Sequence, residues 1–261
     1  MSRPRGASRR GVAPRAVNAN RGAATSARRS RVASLGLQRH RDEHRLPAIV
    51  ALLVALALYV TLPSTFFAPV RYTVAGVGLL LLIPLLIVNP QRLHRETRWS
   101  KYVSSGQAFL LAAANTAALV QLVVLLVTGS SGDGPRLLLA ALQVWLTGII
   151  AFALVYWELD RGGPVTRRHV ARRNMPVADF RFPQDEDADA VEEVASGSAD
   201  KTGWVASYFD YFYLSLTNSM AFSPTDTMPL TTRAKALMAL ESASGFILLG
   251  LVISRAVSLL H

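Results

Sequence analysis

The chain has 261 residues, 51% of them hydrophobic, a formal net charge of +11 and no cysteine. Without cysteine there can be no disulfide, thiolate metal site or cysteine nucleophile. The positive charge sits in one tail and two loops, not on a folded face, which ties it to membrane orientation and away from nucleic-acid recognition.

Residues 1–45 carry arginine among Ala, Ser, Gly and Pro, and no acid precedes Asp42. Such a composition cannot build a packed core, so a disordered basic cytoplasmic tail is expected. Its electrostatic partner would be anionic lipid headgroups. An Arg/Ser-rich, acid-poor stretch also fits an organelle transit peptide. A secretory signal does not fit, because no small-residue cleavage site follows a short apolar core.

Residues 46–158 read as a four-helix transmembrane region. Each apolar run approaches the ~20 residues that cross a bilayer. Pro47 to Leu62 is the first, closed by Pro63. Val70 to Val88 is the second, with Pro84 as a tolerated kink and Asn89-Pro90 as the stop. The next loop carries Arg92, Arg95, Arg98 and Lys101, with Trp99 and Tyr102 at interface depth. Ala108 to Thr128 is the third; its Asn115, Thr116 and Gln121 are of the kind that join helices. Residues 129–135 are a Gly/Ser turn. Leu137 to Trp157 is the fourth, closed by Tyr156 and Trp157 as an aromatic belt. The loops after the second and fourth spans are rich in arginine and those after the first and third are not. The tail and the two arginine-rich loops are therefore expected in the cytoplasm.

Residues 159–203 are expected to be a cytoplasmic linker, basic in its first half and acidic from Asp185 to Glu193. The acids lack the turn glycine and the closing glutamate of an EF-hand. A solvated linker with weak exposed ion pairs is the plainer reading.

Residues 204–261 hold the stretch that stands apart. An aromatic lead-in (Tyr208, Phe209, Tyr211, Phe212, Tyr213) is followed by Thr217, Asn218 and Ser219, then by Ser223-Pro224-Thr225-Asp226-Thr227-Met228-Pro229. Prolines 224 and 229 cannot continue a helix, so a short helix should end near Met220 and a kinked polar segment should come next. Irregular polar backbone at membrane depth survives only where protein covers it or water reaches it. The apolar run Ala234 to Leu260 closes the chain.

Three elements here resemble the last third of a family of uncharacterised bacterial multi-spanning membrane proteins (a domain of unknown function). They are Phe180-Arg181-Phe182-Pro183, Asp210-Tyr211-Phe212-Tyr213 and Ser223-Pro224-Thr225-Asp226. That resemblance implies a fold and no established activity. Residues 208–260 also resemble, more distantly, the pore module of two-span potassium channels. Tyr213 and Ser215 match its pore helix, and Asp226 matches the aspartate after the filter. Pro229 and Thr231 match the segment between that aspartate and the inner helix, and Leu240-Glu241 and Gly245 match the inner helix and its hinge. The filter glycines are absent: Ala221, Phe222, Ser223, Pro224 and Thr225 stand in their places. What the resemblance implies is pore-loop architecture, without potassium selectivity of that type.

The expected fold class is thus an all-α integral membrane protein with five or six transmembrane helices, the last two linked by a polar pore-loop-like segment. With six, Trp204 to Phe222 crosses and Asp210 snorkels to the interface; Arg255 near the C-terminus favours this count. With five, that segment is re-entrant from the cytoplasm. The pore or translocation candidates are Thr217, Asn218, Ser219, Phe222, Ser223, Pro224, Thr225, Asp226 and Pro229. Glu241 and Gly245 are hinge or packing candidates, and Glu241 with Asp226 is a candidate carboxylate pair. Ser242, Ser244 and Gly245 suit close packing, including between subunits of a homo-oligomer. No enzyme is expected: the histidines (40, 44, 94, 169, 261) are scattered, and no HExxH, GxSxG, P-loop or GxGxxG occurs. No cofactor, metal or nucleic-acid partner is implied; the partner is the lipid bilayer. The expected function is passage of an ion or small solute across a bacterial inner (plasma) membrane, N-terminus cytoplasmic. The alternative is a structural or regulatory membrane protein without transport.

Overall fold

A computed structural model describes residues 45–63, 68–88, 98–128, 134–220 and 226–258. The basic tail over 1–44 lies outside the described residues, and so do the site candidates Phe222, Ser223, Pro224 and Thr225.

Pro47 in the first turn opens helix α1 (Leu46–Val60), where its missing N–H costs nothing. The Thr61 hydroxyl donates to the Ala57 carbonyl (2.9 Å) at the other end. Helix α2 runs Ala68–Val88 and passes through Pro84. Helix α3 (Arg98–Thr128) reaches well back from the expected Ala108. No proline or glycine interrupts Arg98–Ser105, and Lys101 Nζ donates to the Gly162 carbonyl (2.6 Å), so the basic stretch continues the helix beyond the apolar run. Helix α4 spans Gly134–Leu159.

Among the described residues, three helices are long and apolar enough to cross a membrane: α3, α4 and the last helix, α9 (Thr232–Ser258). Helix α1 and the stretch Arg71–Ile83 of α2 are shorter apolar helices. Helix α4 is the most buried of the three long ones. It packs against α1, α3 and α9, while α9 turns Phe246, Leu249 and Ile253 outward. An apolar outer face of this extent suits lipid. Polar side chains join the helices, though these are not the ones expected: Gln107 donates to the Gly78 carbonyl (2.7 Å) and Gln143 to Thr61 (3.0 Å), while Thr116 donates to the Ala112 carbonyl of its own helix (2.9 Å). Gly148 of α4 admits the amide of Asn115.

The segment after α4 is a folded cap, where the sequence suggested a solvated linker. Short helices α5 (Pro164–His169), α6 (Glu192–Ala195) and α7 (Ala199–Thr202) surround a two-residue strand, β1 (Phe180–Arg181). Asp160, Arg167, Asp179, Phe180 and Ser198 are all buried. Phe180 and Phe182 explain this. They wedge between Tyr156 (ring centroids 5.0 Å), Tyr211 (6.3 and 5.3 Å) and Trp204 (5.6 Å). Tyr156 and Trp157, expected as an interfacial belt, are therefore core residues under the cap.

Helix α8 (Tyr208–Met220) comes after the cap, and strand β2 (Met228–Pro229) precedes α9. Asp210 starts α8: its carboxylate accepts from both the backbone N–H and the hydroxyl of Ser207 (2.7 Å each). That is the reciprocal half of a capping box, and it places an acid at a helix N-terminus, where it is stabilising.

Candidate functional site

Helix α8 has 13 residues. At 1.5 Å per residue its described part is ~20 Å long, and residues 221–225 that follow lie outside the described residues. Its partners give its direction. Tyr211 donates to Asp160 (2.6 Å), at the cap end of α4, and Ser215 donates to the Ile149 carbonyl (2.8 Å), further into the bundle. So α8 descends from the cap, antiparallel to α4. Helix α9 descends beside it: Asn218 meets Met238 and Glu241, and Ser219 meets Gly245. The chain comes back to the cap between them. Pro229 pairs with Phe180 and Met228 with Arg181 in an antiparallel ladder, and the Leu230 N–H donates to the Asp179 carbonyl (2.8 Å).

The return is locked by Asp179, 1% exposed. Its carboxylate accepts from the Thr231 hydroxyl (2.5 Å) and from the Arg233 guanidinium through Nε (2.7 Å) and Nη2 (2.5 Å). Across the cap, Asp160 is fully buried and receives the Asp179 N–H (2.8 Å), the Phe180 N–H (3.3 Å) and the Tyr211 hydroxyl. The buried Arg167 donates to the carbonyls of Trp157 (2.8 Å) and Asp160 (2.7 Å), which satisfies orphan acceptors at the end of α4. Its guanidinium lies over the Tyr211 ring, 4.9 Å from the centroid. The basic and acidic halves of the cap do pair, in part-buried contacts: Arg161 and Arg172 share Asp185 at 2.5 and 3.0 Å.

Where α4, α8 and α9 meet stands Glu241, 3% exposed. Its Oε2 accepts from the Tyr156 hydroxyl (2.7 Å) and from Asn218 Nδ2 (2.6 Å). Its Oε1 meets the Ser215 hydroxyl. Asn218 also donates to the Met238 carbonyl (3.0 Å), and Ser242 lies within hydrogen-bond distance of both Asn218 oxygens, at 2.9 Å from the carbonyl and 3.1 Å from Oδ1. An ionisable side chain this deep in an apolar bundle is expensive to keep and marks a functional site by default.

The sequence-named residues divide accordingly. Asn218 and Glu241 come together, and Gly245 packs on Ser219 within the chain. Ser242 also bonds inside the chain, to Asn218, while Ser244 turns back to the Leu240 carbonyl (2.8 Å). Thr217 and Ser219 bond to carbonyls of their own helix. Asp226 is exposed and accepts from Thr227 (3.3 Å), so the candidate pair with Glu241 does not form. Pro229 is a strand residue of the return. Tyr156, Asp160, Arg167 and Asp179 went unnamed as site residues. The available signal was that an acid or arginine next to an apolar run must find a partner once the run is packed. Among the described residues no group of three histidine or carboxylate side chains could share a metal ion. No protein-family model, curated protein or solved structure matches the chain.

Proposed function

We propose that the chain is a five-span inner-membrane protein, tail and cap in the cytoplasm, that passes a cation through a site beside α8 and α9. The spans of this reading are α1, α2, α3, α4 and α9, with α8 as a re-entrant half-helix. The observation that carries it is that α8 leaves from the cap and β2 returns to it, both held by the Phe180–Phe182 wedge. A crossing segment would end on the opposite side. This reading takes up the pore-loop resemblance of the sequence, with the loop on the cytoplasmic side.

Two features favour a cation. The last turn of α8 presents the negative end of its dipole within the bundle. Half-helix C-terminal ends and unwound carbonyls are the usual cation ligands at membrane depth. The hydroxyl of Ser219 and the carboxylate of Asp226 offer further oxygen ligands, while the expected Ser223 and Thr225 lie outside the described residues. The rival reading, a structural or regulatory membrane protein, is favoured by one observation: both Glu241 oxygens already have hydrogen-bond partners, in Tyr156, Ser215 and Asn218.

Reconstituted vesicles decide between them. Cation flux above that of empty vesicles, lowered severalfold by Asp226→Asn, is the expected result. No flux from protein shown to be folded would overturn the passage reading in favour of its rival.

A further inference from the structure

The hydrogens around Glu241 can be counted. The Ser215 hydroxyl has one hydrogen. It lies 2.8 Å from the Ile149 carbonyl oxygen and also meets Glu241 Oε1. If Glu241 is ionised it can only accept, so Ser215 must turn its hydrogen to Oε1. Two acceptor oxygens, those of Ser215 and Ile149, are then left facing each other. If Glu241 carries a proton on Oε1, every contact is satisfied. The acid donates to Ser215, and Ser215 donates to Ile149. Oε2 meanwhile accepts from Tyr156 and Asn218, and the second Asn218 hydrogen goes to Met238.

The surroundings agree with the count. The polar groups facing Glu241 are a phenol from α4 and a hydroxyl and an amide from α8, all neutral. Asn218 belongs to the last turn of α8, so the nearest helix end is the negative one. An ionised Glu241 would be a buried carboxylate with no cation among the described residues to offset it, a state that proteins avoid.

From this geometry we infer that Glu241 is a proton-binding site: it rests as the neutral acid, and cation passage requires the loss of that proton. The second half rests on the passage reading above. On release the carboxyl O–H bond breaks, its electron pair stays on Oε1 and the proton passes to water. The Ser215 hydrogen then swings from Ile149 to Oε1. Among the described residues no cationic side chain faces the new negative charge, so a cation entering beside α8 becomes its counter-ion. Passage therefore rises as pH rises, because higher pH removes the proton that excludes the cation. Tyr156, Ser215 and Asn218 act through Glu241 as positioning residues.

Two readouts test this in the full-length protein in vesicles. Infrared spectra at neutral pH should show the carbonyl stretch of a buried neutral carboxylic acid, shifted in heavy water and absent from Glu241→Gln. Tyr156→Phe, which removes one donor from Oε2, should move that band to higher frequency, and it serves as the assignment if Glu241→Gln fails to fold. Potassium flux should rise with pH in the unaltered protein and lose its pH dependence, at a low level, in Glu241→Gln. Absence of a neutral-acid band assignable to Glu241 would overturn the proton site, while flux in the same vesicles would leave the passage reading intact. A band together with a Glu241→Gln flux that still titrates like the unaltered protein overturns the coupling. A band with no flux from any variant sinks the passage reading and the coupling with it, and keeps the proton on Glu241.

Discussion

Gly245 of α9 lies against the backbone of Ser219 in the last turn of α8, and a Cβ at this position would run into the Ser219 carbonyl oxygen. Backbone is a poor neighbour to displace. The two helices approach this closely because small residues face each other, as in membrane helix pairs generally.

Gly245→Ala is therefore expected to destabilise the protein by ~1–3 kcal/mol through overpacking. Gly250 lies on the same helix with nothing within 4 Å of its built Cβ, so Gly250→Ala should be neutral or slightly stabilising, since Ala is the better helix former. Thermal unfolding in detergent, monitored by circular dichroism, compares the two. Equal midpoints would mean that α8 and α9 are further apart than described.

The return of the chain to the cap depends on Asp179 and Arg233. Arg233→Ala removes a two-pronged guanidinium contact and leaves the buried Asp179 carboxylate with the Thr231 hydroxyl alone. The expected cost is ~1–3 kcal/mol, the range for a hydrogen bond to a charged group, kept low because Arg233 is 56% exposed. Arg233→Lys should recover little of it, since an ammonium cannot reproduce the fork. Lys201 and Glu192 pair at 3.3 Å with both side chains exposed, so Lys201→Ala should stay within ~0.5 kcal/mol. Unfolding midpoints of the three variants give the order.

These residues also show what the sequence could and could not say. The long helices were legible, because an apolar run is a local signal. Asn218 was singled out for its polarity between apolar segments and Glu241 through the inner-helix resemblance and as a possible partner of Asp226, yet their meeting was not, because it depends on α8 and α9 descending side by side. The cap was misread for a related reason. Its charges look solvated one by one, and only the insertion of Phe180 and Phe182 against Tyr156 and Tyr211 buries Asp160, Arg167 and Asp179. Tyr156 and Trp157 look the same in sequence whether headgroups or a folded cap cover the helix end.

The side of the membrane on which the α8 excursion returns has a direct test, made clean by the lack of native cysteine. Val191 in the cap and Met228 in the return strand are 62% and 55% exposed, so a single cysteine at either can react. The β1–β2 ladder ties both to one side. With cap and tail in the cytoplasm, an impermeant thiol reagent should label neither Val191→Cys nor Met228→Cys on intact cells, and both once the cells are opened. Labelling of both on intact cells would keep α8 re-entrant and reverse the orientation inferred from the arginine-rich loops. Labelling of Met228→Cys alone would mean that residues 204–222 cross the membrane. That outcome contradicts the Phe180–Pro229 pairing, because two paired strands cannot face opposite aqueous phases. It would remove the half-helix on which the passage reading stands.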